Sequence, residues 1–168
     1  MKNPKEIIAF AMSMEKQGQQ FYARYMDELE QPEAKKWFQI LAETEQEHYE
    51  ILEKQLKQLE KDGTWIDMDT LTTVEDPDLF EKRIKREGIN AGSLSHTLSD
   101  LHILRMAYLL ENDFAEYYQK AMNHITDPSG KSILQSLFYW ENEHRRIFHE
   151  LYQQAMEENW FEQRFSPF

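Results

Sequence analysis

The chain of 168 residues has no cysteine. That excludes a disulfide framework, thiolate metal sites and cysteine catalysis, and it accords with the reducing cytoplasm, the expected location. No stretch approaches the roughly 20 apolar residues that span a bilayer, so no membrane partner is expected. Positive charge is scarce as well: 19 lysines and arginines stand against 31 acidic residues, for a net charge of −12. A surface of that sign repels nucleic acid and anionic lipid alike, which removes nucleic acid as an expected partner. Glycine and proline number only five each. The apolar run from Ile7 to Met12, behind Lys2 and Lys5, is bracketed by Glu6 and Glu15 and followed by no small-residue cleavage site, so it reads as helix rather than signal peptide. A chain of this length forms one domain, residues 1–168, with a core of its own.

What the chain does have is an internal repeat. Glu15 recurs as Glu111, Tyr22 as Tyr118, Glu45 as Glu141 and His48 as His144, all at an offset of 96. Aligned without a gap, residues 7–58 and 103–154 share further identities, among them Ile7, Ala11, Met26, Pro32, Leu41 and Ile51 with their mates. Chance similarity does not hold one register across two helices and a turn, so a duplicated helical hairpin is the simplest account.

Periodicity supports it. Ile7, Ala11, Met14, Gly18, Phe21, Tyr25 and Leu29 recur at spacings of three and four, and Trp37, Leu41, Thr44, His48, Ile51 and Leu52 form a second such face. The later half repeats the pattern with Leu101, Leu104, Ala107, Glu111, Phe114, Tyr118 and Ile125, then Leu134, Leu137, Glu141, His144, Phe148 and Leu151. Pro32 and Pro128 suit the first turn of the second and fourth helices, with Asp127 as an N-cap. Four helices of about 25 residues or more are expected on this 3.6-residue period. Short turns make each hairpin antiparallel (residues 5–60 and 97–163). Residues 61–96, broken by Gly63, Pro77, Gly88 and Gly92 with a short helix at Asp78–Arg86, are long enough to cross the height of the bundle. The expected fold is therefore all-α: an antiparallel four-helix bundle of ferritin-like type with one long crossover between helices 2 and 3. The apolar end of the chain, with Trp160, Phe161, Phe165 and Phe168 and its last residues 164–168 beyond the hairpin, is expected to pack on the bundle or on a second subunit, and a homodimer is the expected assembly.

Within those faces lie acids that do not belong in hydrocarbon. Residues three apart share a helix face, so Glu45 with His48, and Glu141 with His144, each aim an oxygen and a nitrogen at one point. Glu15 and Glu111 are single carboxylates in apolar stripes. An uncompensated buried carboxylate costs several kcal/mol, and no lysine or arginine occupies the matching inner positions. Two divalent ions would neutralise the four glutamates with both histidines neutral, and carboxylate-rich ligation with one imidazole per ion suits iron or manganese, with zinc admissible on affinity. The six candidate metal-binding residues are thus Glu15, Glu45, His48, Glu111, Glu141 and His144. Tyr22 and Tyr118, two turns beyond Glu15 and Glu111, are positioned either to orient a ligand carboxylate or donate electrons, or simply to fill core. His96, His102, His124 and His149 are expected at the surface or at caps, and Phe10, Trp37, Phe38, Tyr139 and Trp140 as packing residues rather than an electron path.

On Ala11, Glu15, Phe21 and Tyr22, their counterparts Ala107, Glu111, Tyr117 and Tyr118, and the two Glu-x-x-His pairs, the chain resembles the rubrerythrin-type di-iron domain of the ferritin-like superfamily. The resemblance implies Glu15 and Glu111 as terminal ligands, Glu45 and Glu141 as bridges, one histidine per ion, and two irons that cycle between ferrous and ferric states with O2 or hydrogen peroxide. It departs at two places: a further glutamate of rubrerythrins is here Phe114, with Gly18 as its mate, and the four-cysteine rubredoxin module is missing, so electrons must come from a separate donor protein. Alternatives are ferrous iron oxidation and iron handling, a binuclear manganese catalase, and a non-catalytic bundle.

Overall fold

The computed structural model describes residues 3–30, 32–71 and 98–162, and every regular element among them is a helix. Helix α1 spans Pro4–Tyr25, started by Asn3, whose side chain accepts from the Lys5 amide at 3.0 Å, and by Pro4 in its first turn. Helix α2 spans Pro32–Lys61 and stops at Gly63, whose positive φ of 77° allows its N–H to reach back to the Leu59 carbonyl at 3.1 Å. A single turn, α3 (Met68–Leu71), follows. Helix α4 (Leu98–Ala121) runs into a 3-10 turn at Met122–His124, and α5 covers Pro128–Glu162. Asp127 caps α5 as expected, accepting from the amides of Ser129 at 2.9 Å and Gly130 at 3.1 Å.

Helix lengths match in pairs across the two hairpins, the first helix of each falling just short of the expected length of about 25 residues and the second exceeding it. Helices α1 and α4 have 22 and 24 residues, whereas α2 and α5 have 30 and 35. The first helix of each hairpin stops at the same repeat position, Tyr25 and Ala121, and Leu29 and its mate Ile125, each 2% exposed, turn inward at the bend that follows. Asn159–Glu162 belong to α5, while residues 163–168 lie outside the described residues, as does His96 and the short helix expected at Asp78–Arg86.

Side-chain pairings fix the directions. Tyr22 meets Phe38 with ring centroids 5.1 Å apart, and Glu15 meets His48, so α2 runs back along α1. Asn112 bonds Arg145 at 3.1 Å and Tyr108 meets His149, so α5 runs back along α4. The Tyr117 hydroxyl donates to the Ile7 carbonyl at 2.8 Å while Tyr22 reaches Glu111, which sets α4 opposite to α1 and thus along α2. The start of α4, where Asp100 accepts from the Glu30 amide, lies at the far end of the bundle from Leu71, which packs with Ile7 and Ile125. Among the described residues, no helix is long and apolar enough to cross a membrane.

The core has two apolar clusters. One gathers Tyr22, Leu29, Trp37, Phe38, Leu104, Phe148 and Leu151; the other gathers Ile7, Ile8, Leu52, Tyr118, Ile133, Leu134 and Trp140. Between them runs the layer of glutamates and histidines. Phe10 and Tyr139, expected to pack, are instead more than half exposed, because each stands on the outer side of its helix.

Two devices not readable from periodicity secure the chain leaving α2. Gln55, fully buried, donates to the Ile66 carbonyl at 2.8 Å and accepts the Ile66 amide at 3.1 Å, pairing with that backbone as a strand neighbour would. Trp65 then lies on Gly130, where an added Cβ would stand 2.6 Å from its ring, and Ser129 donates to Asp67. Replacing Gln55 with alanine removes both bonds to Ile66, and we expect a loss of about 2 kcal/mol in chemical denaturation with helix content retained. A change below about 0.5 kcal/mol would show the clamp to be idle.

Candidate metal centre

Each of the four long helices contributes to one buried layer. Helix α1 supplies Glu15, α2 supplies Glu45 and His48 one turn apart, α4 supplies Glu111, and α5 supplies Glu141 and His144. All six are inaccessible to solvent or, for His144, 2% exposed. Their donor atoms form two overlapping groups: Glu15, Glu45, His48 and Glu141, and Glu45, Glu111, Glu141 and His144, with the atoms of each group within 4.8 Å of one another. Glu45 and Glu141 belong to both. The structure therefore brings together every candidate metal-binding residue expected from the sequence.

The imidazoles face the acids through one nitrogen each. His48 Nδ1 lies 3.0 Å from Glu141 Oε1 and 3.4 Å from Glu15 Oε2, and His144 Nδ1 lies 3.5 Å from oxygens of Glu111 and Glu141. Oε2 of Glu15 and of Glu111, and both oxygens of Glu45 and Glu141, have no hydrogen-bond partner among the described residues. Buried oxygens in that condition are costly unless a cation or proton joins them. A donor set of four carboxylates and two imidazoles, open toward a common centre, fits two divalent ions of the harder first-row type.

Outside this set the geometry is crossed. Tyr118 donates to Oε1 of Glu15, and Tyr22 to Oε1 of Glu111, each from the opposite hairpin. These bonds turn the other oxygen of each glutamate toward the centre, the orienting role open to the tyrosines from sequence. Burial first, and then the facing glutamates, push both phenols well above their usual range, so they stay protonated donors. Ala11, Leu41, Ala107 and Leu137 are fully buried around the layer. His102, His124 and His149 are exposed, as expected. One neighbour escaped the sequence reading: Trp140 stacks on His48 at 4.9 Å and 11°. Its signal was available, since Trp140 lies four residues before His144 on the same face, but its mate is Thr44, whose hydroxyl merely closes on the Ile40 carbonyl at 2.9 Å.

This helical bundle with a buried layer of four glutamates and two histidines is of the ferritin-like class. The chain belongs to the rubrerythrin family: a model of that family, Rubrerythrin, matches residues 6–152. No match was found among curated proteins or among solved structures.

The proton affinities in the layer are split. Burial, then the charges of Glu141 and Glu45, raises the Glu15 carboxyl well above the usual carboxylate range. Burial raises Glu111 likewise, against the pull of His144. In Glu45 burial opposes ionisation, yet contacts with Glu15, His144 and His48 hold it below the usual range; in Glu141 burial and the Glu45 charge are outweighed by the two histidines. Both imidazoles rise despite burial, because the surrounding carboxylates favour their charged form. Glu15, Glu111, His48 and His144 thus hold protons more tightly than they would in water, and protons and ions compete for the same oxygens and nitrogens. Ions must displace such protons, so loading is expected to release protons, measured by calorimetry in buffers of different ionisation enthalpy. Because these groups hold protons more tightly than usual, apparent metal affinity rises with pH and falls as pH is lowered. Glu45 and Glu141, already ionised, add nothing to that slope, and a pH-independent affinity would contradict the assignment.

Proposed function

We propose that this protein is a di-iron carboxylate oxidoreductase that reacts with O2 or hydrogen peroxide. The observation that carries the reading is the layer of four buried glutamates with two histidines drawn from four helices, in a chain of the rubrerythrin family. Glu15 and His48 would hold one ion, Glu111 and His144 the other, with Glu45 and Glu141 shared between them. Iron bound there would supply one electron per ion to the oxidant.

The chain's own groups do the remainder. Tyr22 and Tyr118 hold the outer oxygens of Glu111 and Glu15, which fixes the inner oxygens and keeps the two halves of the layer in register. The alanines and leucines around the layer keep bulk water from it, which strengthens each electrostatic contact inside. Reducing equivalents would come from a separate donor protein, because these 168 residues hold no cysteine that could ligate an electron-carrying iron. We place the protein in the cytoplasm, as a homodimer. Manganese would fit the same donors, and assaying peroxide dismutation without a reductant after manganese loading separates a catalase from the iron enzyme.

Anaerobic reconstitution with Fe2+ followed by elemental analysis is expected to give two ions per chain, and the oxidised protein should show oxo-bridged diferric absorption. In His48→Ala the stoichiometry should fall toward one while circular dichroism shows the helices intact. Two ions per chain in that variant would sink the assignment.

A further inference from the structure

Besides Trp140 and Thr44, the repeat that sets the six side chains in pairs breaks at a second position beside them. Gly18 and Phe114 are mates at the offset of 96, each three residues beyond Glu15 or Glu111 on the same helix face. One is the smallest residue and the other an aromatic ring. A Cβ on Gly18 would lie 3.0 Å from Phe114 Cε2 and 3.3 Å from Glu45 Cγ, so the ring of α4 occupies the notch left in α1, beside a glutamate common to both donor groups. Phe114 is 3% exposed.

Tyr22 and Tyr118, the tyrosines of the same two helices, have their hydroxyl protons committed to Glu111 and Glu15. Of the other buried polar side chains among the described residues, Thr44, next to Glu45 on α2, donates its hydroxyl proton to the Ile40 carbonyl, Gln55 is bonded to Ile66, and Asp100 faces Glu30 at the end of the bundle. Helices α1 and α4 give one of the six donors each, against two each from α2 and α5, so positions left for a small molecule lie on the α1/α4 side. There it would meet the ring of Phe114, between tyrosines whose hydroxyl protons are committed to Glu111 and Glu15.

We propose that Phe114, seated against Gly18, is the specificity-determining residue of the centre, selecting dioxygen over hydrogen peroxide and over small anions. A polar ligand entering this side gives up its hydrogen bonds to water and finds none in exchange, whereas dioxygen has none to lose. The proposal rests on the di-iron reading above. It goes beyond it by choosing between the two oxidants.

The test uses the full chain loaded with Co2+, with azide as a polar probe followed by the cobalt visible spectrum. Phe114→Gln, which adds a donor at similar length, is expected to keep two Co2+ per chain and bind azide at least about tenfold more tightly than the parent. Phe114→Tyr, which keeps the ring and adds one hydroxyl, should move in the same direction and serves if the glutamine variant does not fold. Phe114→Leu, still apolar, should stay within about threefold of the parent. In the Fe2+-loaded proteins, the ratio of oxidation rates with O2 and with peroxide should drop by about tenfold in the glutamine variant. Two bound Co2+ with unchanged azide affinity in both polar variants overturns the proposal and leaves the di-metal reading standing, as does an equal gain in Phe114→Leu. Failure of the parent chain to bind Co2+ or Fe2+ overturns both.

Discussion

Four carboxylates cannot remain ionised together inside hydrocarbon without positive charge among them, and the architecture follows from that demand. Removing even one such group from water costs several kcal/mol, more than a domain of this size can absorb four times over. The layer holds them because each acid has an imidazole within reach, on its own helix or across the bundle, and because two phenols share the load on the outer oxygens. The apolar clusters on either side hold the acids at one height. They also exclude the water that would otherwise screen the acids from one another.

Much of this was legible in the sequence because the site repeats. A single glutamate in an apolar stripe is ambiguous, but Glu15 and Glu111, set against two Glu-x-x-His pairs at one offset, can be satisfied together only if four helices converge. The caps and turns followed from the chemistry of Asp127, Pro32 and Pro128. What stayed hidden were contacts between residues with no shared period. Gln55 gives no sign that it will hold Ile66, since a glutamine on a helix face is usually solvated. Phe10 and Tyr139 look like core residues by type and lie outside, because type without phase does not give a side. The tyrosine bonds were half visible: the spacing put each phenol on the correct face but could not show that it reaches the glutamate of the other hairpin.

The duplication also makes the exceptions informative. Where both halves agree, the residue serves the ions or the packing common to both hairpins. Where they differ, the two positions of the layer become inequivalent: Trp140 stacks on His48 while Thr44 occupies the corresponding place in the other repeat, and Phe114 fills the space that Gly18 leaves. A twofold scaffold thereby acquires a distinguishable front and back through a handful of substitutions, with the donor set unchanged.

The most extensive packing in the bundle is within each hairpin, between α1 and α2 and between α4 and α5, and neither hairpin can complete a donor group alone. Glu141 from the second is needed around His48, and Glu45 from the first around His144. An ion captured in this layer is therefore also a rivet between two halves of the chain, and a chelator that withdraws it loosens the joint between them before it disturbs either half. Were metal bound there, cohesion of the molecule would be coupled to its supply, because the same six side chains are drawn from both halves.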